Sequence, residues 1–155
     1  MKRKHVFLFV LLVALTLLAS GSVYAKGTKD PYKDVTHKKV DAQSYKAIAY
    51  IKQYNGWRGL VTKGKLSPNK AMTRREFLVV LHNLYGDKVT VTMADVRGAN
   101  GKITSKYVCD RMVALSKVLK YPIKWGGTNA KMKRKDVARY IYIFATYNKA
   151  FTPKK

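Results

Sequence analysis

The chain has 155 residues, 47% of them hydrophobic, and its 32 Lys and Arg against 8 Asp and Glu give a formal net charge of +24. Its single cysteine, Cys109, excludes an intramolecular disulfide, so stability has to come from a packed core. The positive excess predicts salt-sensitive attraction to polyanions. Charge alone does not choose among cell-wall polymers, anionic lipid head groups and extracellular nucleic acid.

The first 25 residues have the pattern of a secretory signal peptide. A basic start, MKRKH, precedes an apolar run over residues 6–19, and Val23 and Ala25 place small residues at the minus-three and minus-one positions. The apolar run is shorter than the roughly 20 residues that a membrane-spanning helix needs. We therefore expect cleavage after Ala25 and secretion, with an uncleaved membrane anchor as the alternative.

Two helices are predicted in the first half of the mature chain. Asp41 is the expected N-cap of the first, which ends at Asn55-Gly56, a left-handed stop. The second is entered through Thr73 and Glu76, whose spacing is that of a capping box, and it ends at Gly86. Its predicted buried stripe, at positions i, i+3, i+4 and i+7, consists of Phe77, Val80, Leu81 and Leu84.

Two further helices are predicted in the second half. The third starts near Thr104 or Ser105 and is broken by Tyr121-Pro122, and the fourth starts near Lys133. Cys109 falls among the apolar positions of the third helix, so we interpret it as a small buried hydrophobe rather than a nucleophile. The predicted stripes are Val108, Met112, Leu115 and Leu119 in the third helix, and Val137, Tyr140, Ile141 and Phe144 in the fourth.

The fourth helix repeats the second at a constant offset of 60 residues. Met72 matches Met132, Arg74 matches Arg134, and the stripes match in the same register. Because the polar entry recurs together with the stripe, we interpret the chain as a tandem repeat of about sixty residues. The predicted fold is all-α, with two helix–loop–helix repeats after a cleaved signal peptide. The expected boundaries are 1–25 for the signal peptide, 26–88 and 89–150 for the repeats, and 151–155 for a basic tail.

The motifs inside these repeats resemble the S-layer homology domain. The first repeat has an aromatic-x-Asp-Val element at residues 32–35 (YKDV), a Gly-x-hydrophobic-x-Pro loop at 64–68 (GKLSP) and a helix entry at 72–77 (MTRREF). A family repeat carries these elements in the same order. The second repeat keeps Asp95-Val96 and the Arg134 entry but lacks the glycine–proline loop, so it is a degenerate copy.

The resemblance implies a role in attaching exported proteins to the bacterial cell wall. Such domains usually act as three tandem helical repeats that bind an anionic, often pyruvylated, secondary cell-wall polysaccharide in grooves between repeats. The arginine of the helix entry contributes to binding, and it corresponds here to Arg74 and Arg134. Only two repeats are visible, so we expect that a three-repeat ring cannot close within one chain. Two-repeat binding, pairing between copies and a partner that brings further repeats remain as alternatives.

Both arginines are candidates to bind an anionic ligand. Arg74 and Arg134 lie in the first turn of a predicted helix, where free N–H groups and the helix dipole favour an anion. A guanidinium there can hold a carboxylate or phosphate through two hydrogen bonds. The alternative is that both are solvated or pair locally with Glu76 and Asp136.

Four further residues are candidates for ligand binding. Asp34 and Asp95 could bind a sugar hydroxyl or a cation, although hydrogen bonding to the backbone at the start of each repeat is favoured. Trp57 and Trp125 lie in glycine-containing loops, NGWRG and KWGG. An aromatic side chain there either stacks on a sugar ring or fills the gap between helices.

Neither catalysis nor a metal or cofactor is expected. Glu76 is the only Glu and already belongs to the capping box, whereas a glycosidase of the usual kind needs two carboxylates. His37 and His82 have no metal-ligand spacing with each other or with Cys109.

We therefore predict a secreted protein of the cell wall or cell surface that attaches to an anionic secondary cell-wall glycopolymer. One alternative is a secreted cationic protein that binds nucleic acid or anionic membrane surfaces nonspecifically. The other is a structural partner of itself or of other S-layer-homology proteins.

Overall fold

The computed structural model describes residues 29–154 and shows an all-α protein. The helices are α1 (Ala42–Gln53), α2 (Arg74–Tyr85), α3 (Met93–Arg97), α4 (Ser105–Val118) and α5 (Arg134–Tyr147), and short 3-10 segments follow α2 (Gly86–Lys88) and α5 (Lys149–Phe151). Strand-like pairing within the described residues is limited to isolated bridges. The predicted signal peptide, residues 1–25, lies outside the described residues.

The four predicted helices are present with their predicted starts. The Asp41 side chain accepts the Ser44 N–H at 2.9 Å, and Thr73 and Glu76 form a reciprocal capping box at the start of α2. Thr104 is the N-cap of α4. The sequence does not predict α3, because five residues are too few to show a helical stripe.

The core is one buried cluster to which α1, α2, α4 and α5 all contribute, with α1 packed against α5. Phe77, Phe144 and Met112 are at most 1% exposed, and burying side chains of this size stabilises the fold by about 1.5–3 kcal/mol each. Cys109 is buried as predicted. The prediction that Leu119 and Tyr140 are buried members of their stripes is wrong, because both side chains are only partly buried.

The chain end also belongs to the core. Phe151 is fully buried and stacks on Phe144 with ring centroids 4.4 Å apart. Its carbonyl accepts the Tyr85 hydroxyl at 2.9 Å, and burial raises the pKa of this tyrosine strongly. The first residue of the predicted basic tail is therefore an anchor that packs against α2 and α5.

Three helix entries meet in a closed hydrogen-bond ring. The Met72 N–H donates to the Met132 carbonyl at 3.0 Å, the Met132 N–H to Ile103 at 3.1 Å, and the Ile103 N–H to Met72 at 3.0 Å. All three residues are buried, and α2, α4 and α5 each start two residues after their member of the ring. The sequence matched only the entries of α2 and α5, and the entry of α4 makes a third set of these backbone contacts.

Candidate ligand-binding clefts around the ring

The first-turn N–H groups of the three helices are already used around the ring. Arg74 donates its N–H to the Gly101 carbonyl and Arg134 donates to Lys70, both at 3.0 Å, and Ser105 makes the equivalent bond in α4. The next N–H of each helix donates to the same neighbouring segment. The prediction that free amides of these helices help to hold an anion is therefore wrong. A ligand at the ring has to be bound by side chains.

Arg134 fills the interface between α5 and the loop that precedes α2, which we call the closed interface. Its side chain is 6% exposed, and its guanidinium donates to the carbonyls of Leu60 and Leu66 and to Glu76 Oε1 at 2.9 Å. Among the buried side-chain nitrogen and oxygen atoms of the described residues, only its Nε has no hydrogen-bond partner. Arg134 thus fastens the loop between α1 and α2 to α5 and is used inside the protein.

Glu76 connects this interface to the capping box of α2. Its carboxylate accepts the Thr73 N–H at 3.1 Å and the Lys70 Nζ at 3.0 Å in addition to Arg134. Burial by itself raises the pKa of Glu76, but the hydrogen bonds from Lys70, Thr73 and Arg134 outweigh it and hold the pKa below its ordinary value. The carboxylate therefore stays charged at neutral pH.

Arg74 lies at a second interface, between α2 and the segment that contains α3. Its guanidinium donates to the Ala94 carbonyl at 3.1 Å and lies 4.9 Å from the centroid of the Tyr107 ring. A Cβ at Gly98 would come within 2.3 Å of this guanidinium, so a larger residue there would displace the guanidinium from this position. Within residues 29–154 Arg74 forms no ion pair with a carboxylate, so its charge is available to a ligand.

Both predicted aspartates are used within the protein. Asp95 is buried and accepts hydrogen bonds from the Tyr107 hydroxyl at 2.5 Å and from Arg111 at 2.6 Å. Burial alone raises its pKa, yet these bonds hold the pKa below the usual range. Asp34 accepts the backbone N–H groups of residues 66–67 at 2.9 and 2.8 Å. Asp95 also accepts the backbone N–H of Thr92 at 2.8 Å, so the backbone role that the sequence favoured describes both aspartates, and Asp95 binds side chains as well.

The two tryptophans differ in exposure. Trp57 is 1% exposed and donates its indole N–H to the Ile48 carbonyl at 3.2 Å, so it fills the gap between helices and offers no face to a sugar. Trp125 is partly exposed and stacks on Tyr140, with ring centroids 5.2 Å apart and an interplanar angle of 9°.

The third interface, between α4 and the loop that precedes α5, contains a cavity of about 330 Å³ that we call the open cleft. Ser105 stands here at the position that Arg74 and Arg134 occupy at the other two interfaces. Its hydroxyl accepts the Thr128 N–H at 2.8 Å. Gly127 lies so close that a Cβ would be 2.5 Å from the Ser105 backbone. The lining residues are Ser105, Thr128, Ala130, Lys131, Met132, Asp136, Arg139, Tyr140 and Ile143.

The open cleft is lined by one aromatic ring, Tyr140, and by the charged residues Lys131, Arg139 and Asp136. Arg139 donates to the Gln43 side-chain oxygen at 3.2 Å and has no ion pair among the described residues. A neighbouring cavity of about 340 Å³ is lined by Trp125 and shares Ile143 with the cleft. The two cavities adjoin, and each is lined by one ring of the stacked aromatic pair. Together they can accommodate more than one unit of an extended molecule.

The structure separates the six predicted residues into two groups. Arg74 and Trp125 keep surface that a ligand can reach. The others are committed to contacts inside the protein, namely Arg134, Trp57, Asp34 and Asp95.

The sequence did not identify Ser105, Arg139 or Tyr140 as residues of a cleft. One signal for this cleft was present, because residues 103–105 (ITS) have the hydrophobic–Thr–polar order of residues 72–74 (MTR).

The described residues contain no group of His, Cys, Asp and Glu that could hold a metal ion. In the same part of the chain, every helix is too short or too polar to cross a membrane. Comparison with protein-family models, with curated proteins and with solved structures finds no match for the chain. The resemblance to the S-layer homology domain stays a prediction that depends on the motif residues.

Proposed function

We propose that the protein is a secreted, non-enzymatic cell-wall attachment module that binds an anionic secondary cell-wall polysaccharide through the open cleft. The observation that carries the proposal is the partly exposed Trp125–Tyr140 stack beside Arg139. An aromatic ring can cover the apolar face of a sugar while a guanidinium binds a carboxylate or phosphate on the same unit. The cleft offers both groups within one surface.

Long-range attraction supports the same ligand class. The formal net charge of +24 draws any polyanion toward the protein, but it acts without regard to sugar chemistry. Selectivity therefore has to come from short-range contacts. The two cavities that share Ile143 fit consecutive units of a polymer better than one small molecule.

The repeat interpretation is part of this proposal. Residues 72–77 and 132–137 begin equivalent helices, and Met72 and Met132 are both members of the hydrogen-bond ring. The entry of α4 makes the third set of equivalent contacts. This arrangement supports an S-layer-homology-like organisation in which α2, α4 and α5 are the corresponding helices, with ligand grooves at the interfaces between them.

Arg74 provides a second contact in this proposal. Its guanidinium is held by the Ala94 carbonyl and the Tyr107 ring, so it is already oriented before a ligand arrives. A charged group of the glycan at this interface would meet a cation that no described carboxylate neutralises. Arg134 has no such role, since its side chain is buried and both of its terminal NH2 groups donate within the closed interface.

Sedimentation with purified cell walls, before and after chemical removal of the secondary polymer, tests the proposal. Trp125→Ala and Arg139→Ala should each weaken binding by about tenfold or more, equivalent to about 1.4 kcal/mol. Tyr121→Ala and Arg58→Ala are matched controls, because each removes an exposed ring or charge that does not line the open cleft. The controls should bind like the wild type, and stripped walls should bind none of the proteins.

Equal binding by all four variants, abolished by moderate salt, would contradict a specific cleft. That result would favour the cationic protein that binds polyanions nonspecifically. Undiminished sedimentation with stripped walls would show that the polymer is not the ligand.

A further inference from the structure

A separate apolar groove lies along α2, and we call it the α2 groove. It has a volume of about 340 Å³ and is formed by one face of α2 and by residues 89–99. Its apolar lining consists of Leu78, Val79, Val89, Val91, Val96 and Ala99. None of these residues lines the open cleft or the cavity beside Trp125.

A comparison of α2 with α5, two helices that start at equivalent positions of the ring, explains why this groove exists. On α5 the equivalent face is covered by α1, a helix of 12 residues, through a Gln43–Arg139 hydrogen bond and an edge contact of Tyr50 with Tyr142 at 5.2 Å. Arg139 and Tyr142 correspond to positions 79 and 82 of α2, and both positions line the groove. In the described part of the chain only α3, with 5 residues, lies in the corresponding place. The groove is therefore the site on α2 that a full helix occupies on α5.

The groove carries an unusual share of the exposed apolar surface. Val91, Met93 and Val96 are 55%, 68% and 58% exposed, although they lie within six consecutive residues. A contiguous apolar surface of this kind, bordered by polar residues, is typical of an interaction site.

The border of the groove is basic. Arg75 lines it, and Lys88 and Arg97 are exposed beside lining residues. The lining carboxylate of Asp95 is already paired with Arg111, which leaves Asp87 as the exposed acidic residue nearby in the chain. An occupant with acidic flanks would be attracted, and one with basic flanks would be repelled.

This charge argues against the occupants that the chain itself could supply. Helix α1 of a second copy carries Lys46 and Lys52 and has no acidic residue in its first turn. The apolar segment at residues 6–19 follows the basic start MKRKH. Either would bring like charges to the border.

From the equivalence with α1 and from the border charge, we propose that the α2 groove binds an amphipathic α-helix of a partner protein, with an apolar stripe flanked by Asp and Glu. The helix lies along α2 as α1 lies along α5. Its stripe contacts Val79, Val91 and Val96, and its carboxylates face Arg75 and Arg97. This interaction is independent of glycan binding in the open cleft.

A synthetic peptide probe tests the proposal with the full secreted chain. It is a helix of about 15 residues, long enough for appreciable helicity, with Leu and Ile at i, i+3, i+4 and i+7 and Glu on both flanks. A second peptide has Lys in place of every Glu, and a third has the Glu peptide's residues in scrambled order. Fluorescence anisotropy should show saturable binding of the Glu peptide, and at least about tenfold weaker binding of the other two.

The variant Val91→Ser/Val96→Ser examines the groove without altering charge. Both residues are exposed, so circular dichroism should show the wild-type fold. Peptide binding should fall by about tenfold or more. The matched control Val118→Ser/Tyr121→Ser removes two apolar residues of 50% and 52% exposure elsewhere and should leave binding unchanged.

Other outcomes overturn the proposal. Equal affinity for the Glu and Lys peptides, or equal loss in both double variants, would remove the groove as a selective helix site. Sedimentation velocity that shows wild-type self-association, lost in Val91→Ser/Val96→Ser, would assign the surface to a second copy. Absence of peptide binding together with groove-dependent binding to phosphatidylglycerol vesicles would assign it to a membrane surface.

Discussion

The closed interface and the open cleft lie beside the same hydrogen-bond ring, yet one is filled and the other is open. Arg134 lies two residues after the residue that its segment contributes to the ring. In the closed interface its side chain donates hydrogen bonds to two carbonyls and to Glu76. In the open cleft Ser105 occupies the equivalent position, and a cavity of about 330 Å³ remains. The backbone contacts around the ring are the same, so the difference lies in the side chain at this position and in the loop that faces it.

This comparison shows how a repeated backbone can serve two purposes. Where a long side chain finds acceptors in the neighbouring loop, the interface stabilises the fold. Where the side chain is short, the same junction leaves a concave surface that other residues can line with aromatic rings and charge. The Arg74 interface is intermediate, since its guanidinium is held in place but has no carboxylate partner among the described residues.

The largest expected effect comes from opening the closed interface. Arg134→Ala leaves two buried carbonyls without their donor and removes one of the donors to Glu76, and we expect a loss of about 3 kcal/mol in the free energy of unfolding. Arg139→Ala removes the same charge beside the open cleft and should cost at most about 0.5 kcal/mol. Urea denaturation of both variants checks the difference. Similar losses in the two variants would contradict the distinction between the interfaces.

The second prediction concerns the sign of charge in the open cleft. Ile143 is 55% exposed and lies between the two cavities, so its replacement should not disturb the core. Ile143→Asp should weaken wall binding by about tenfold or more, whereas Ile143→Lys should keep it within about twofold. Sedimentation with purified walls measures both. A similar loss in the two variants would mean that shape, and not anion recognition, governs the site.

The third prediction compares the helix caps of α2 and α5. Thr73→Ala removes an N-cap hydrogen bond and should cost about 1 kcal/mol. Lys133 occupies the equivalent position in α5, where an ammonium group cannot accept a hydrogen bond, so Lys133→Thr should gain about 0.5–1 kcal/mol. Urea midpoints measure both changes. An equal gain in Lys133→Ala would show that charge removal, rather than capping, is responsible.

The smallest expected effect is the part of the pH dependence of stability that comes from the closed interface. The pKa of Glu76 is lower in the folded protein than its ordinary value of about 4.3, so its contribution is present above that value and is lost as pH falls through the folded pKa. Glu76→Gln should therefore reduce the difference in urea midpoint between about pH 7 and about pH 3. Lys106→Ala, whose partner Asp110 is exposed, should leave the difference unchanged. An unaltered pH dependence in Glu76→Gln would contradict this role.

The helices were predictable because their signals are local. Asp41, Thr73 and Thr104 cap helices that carry an apolar stripe, and both features depend on residues within a few positions of each other. The short helix α3 and the partly exposed side of α5 at Tyr140 were missed. Both depend on which neighbour covers them, and that neighbour is distant in the sequence.

The candidate site was predicted only in part for the same reason. Arg74 and Arg134 have nearly the same local sequence, yet one is accessible and the other is sealed by the loop at residues 60–66. Trp57 and Trp125 both follow a helix in a glycine-containing loop, and only Trp125 keeps an exposed face. Burial is decided by the segment that packs above a residue, which spacing along the chain does not reveal.

The sequence by itself determined the helical class, the helix starts, the stripes that face the core and the strongly basic character, because these follow from hydrogen bonding and hydrophobicity over a few residues. Only the tertiary structure decided that the entries at Met72, Ile103 and Met132 close a ring, and which of its three interfaces stays open. The ring depends on backbone hydrogen bonds between segments about thirty residues or more apart in the chain. Whether an interface stays open depends on whether a side chain of the right length finds acceptors across the junction.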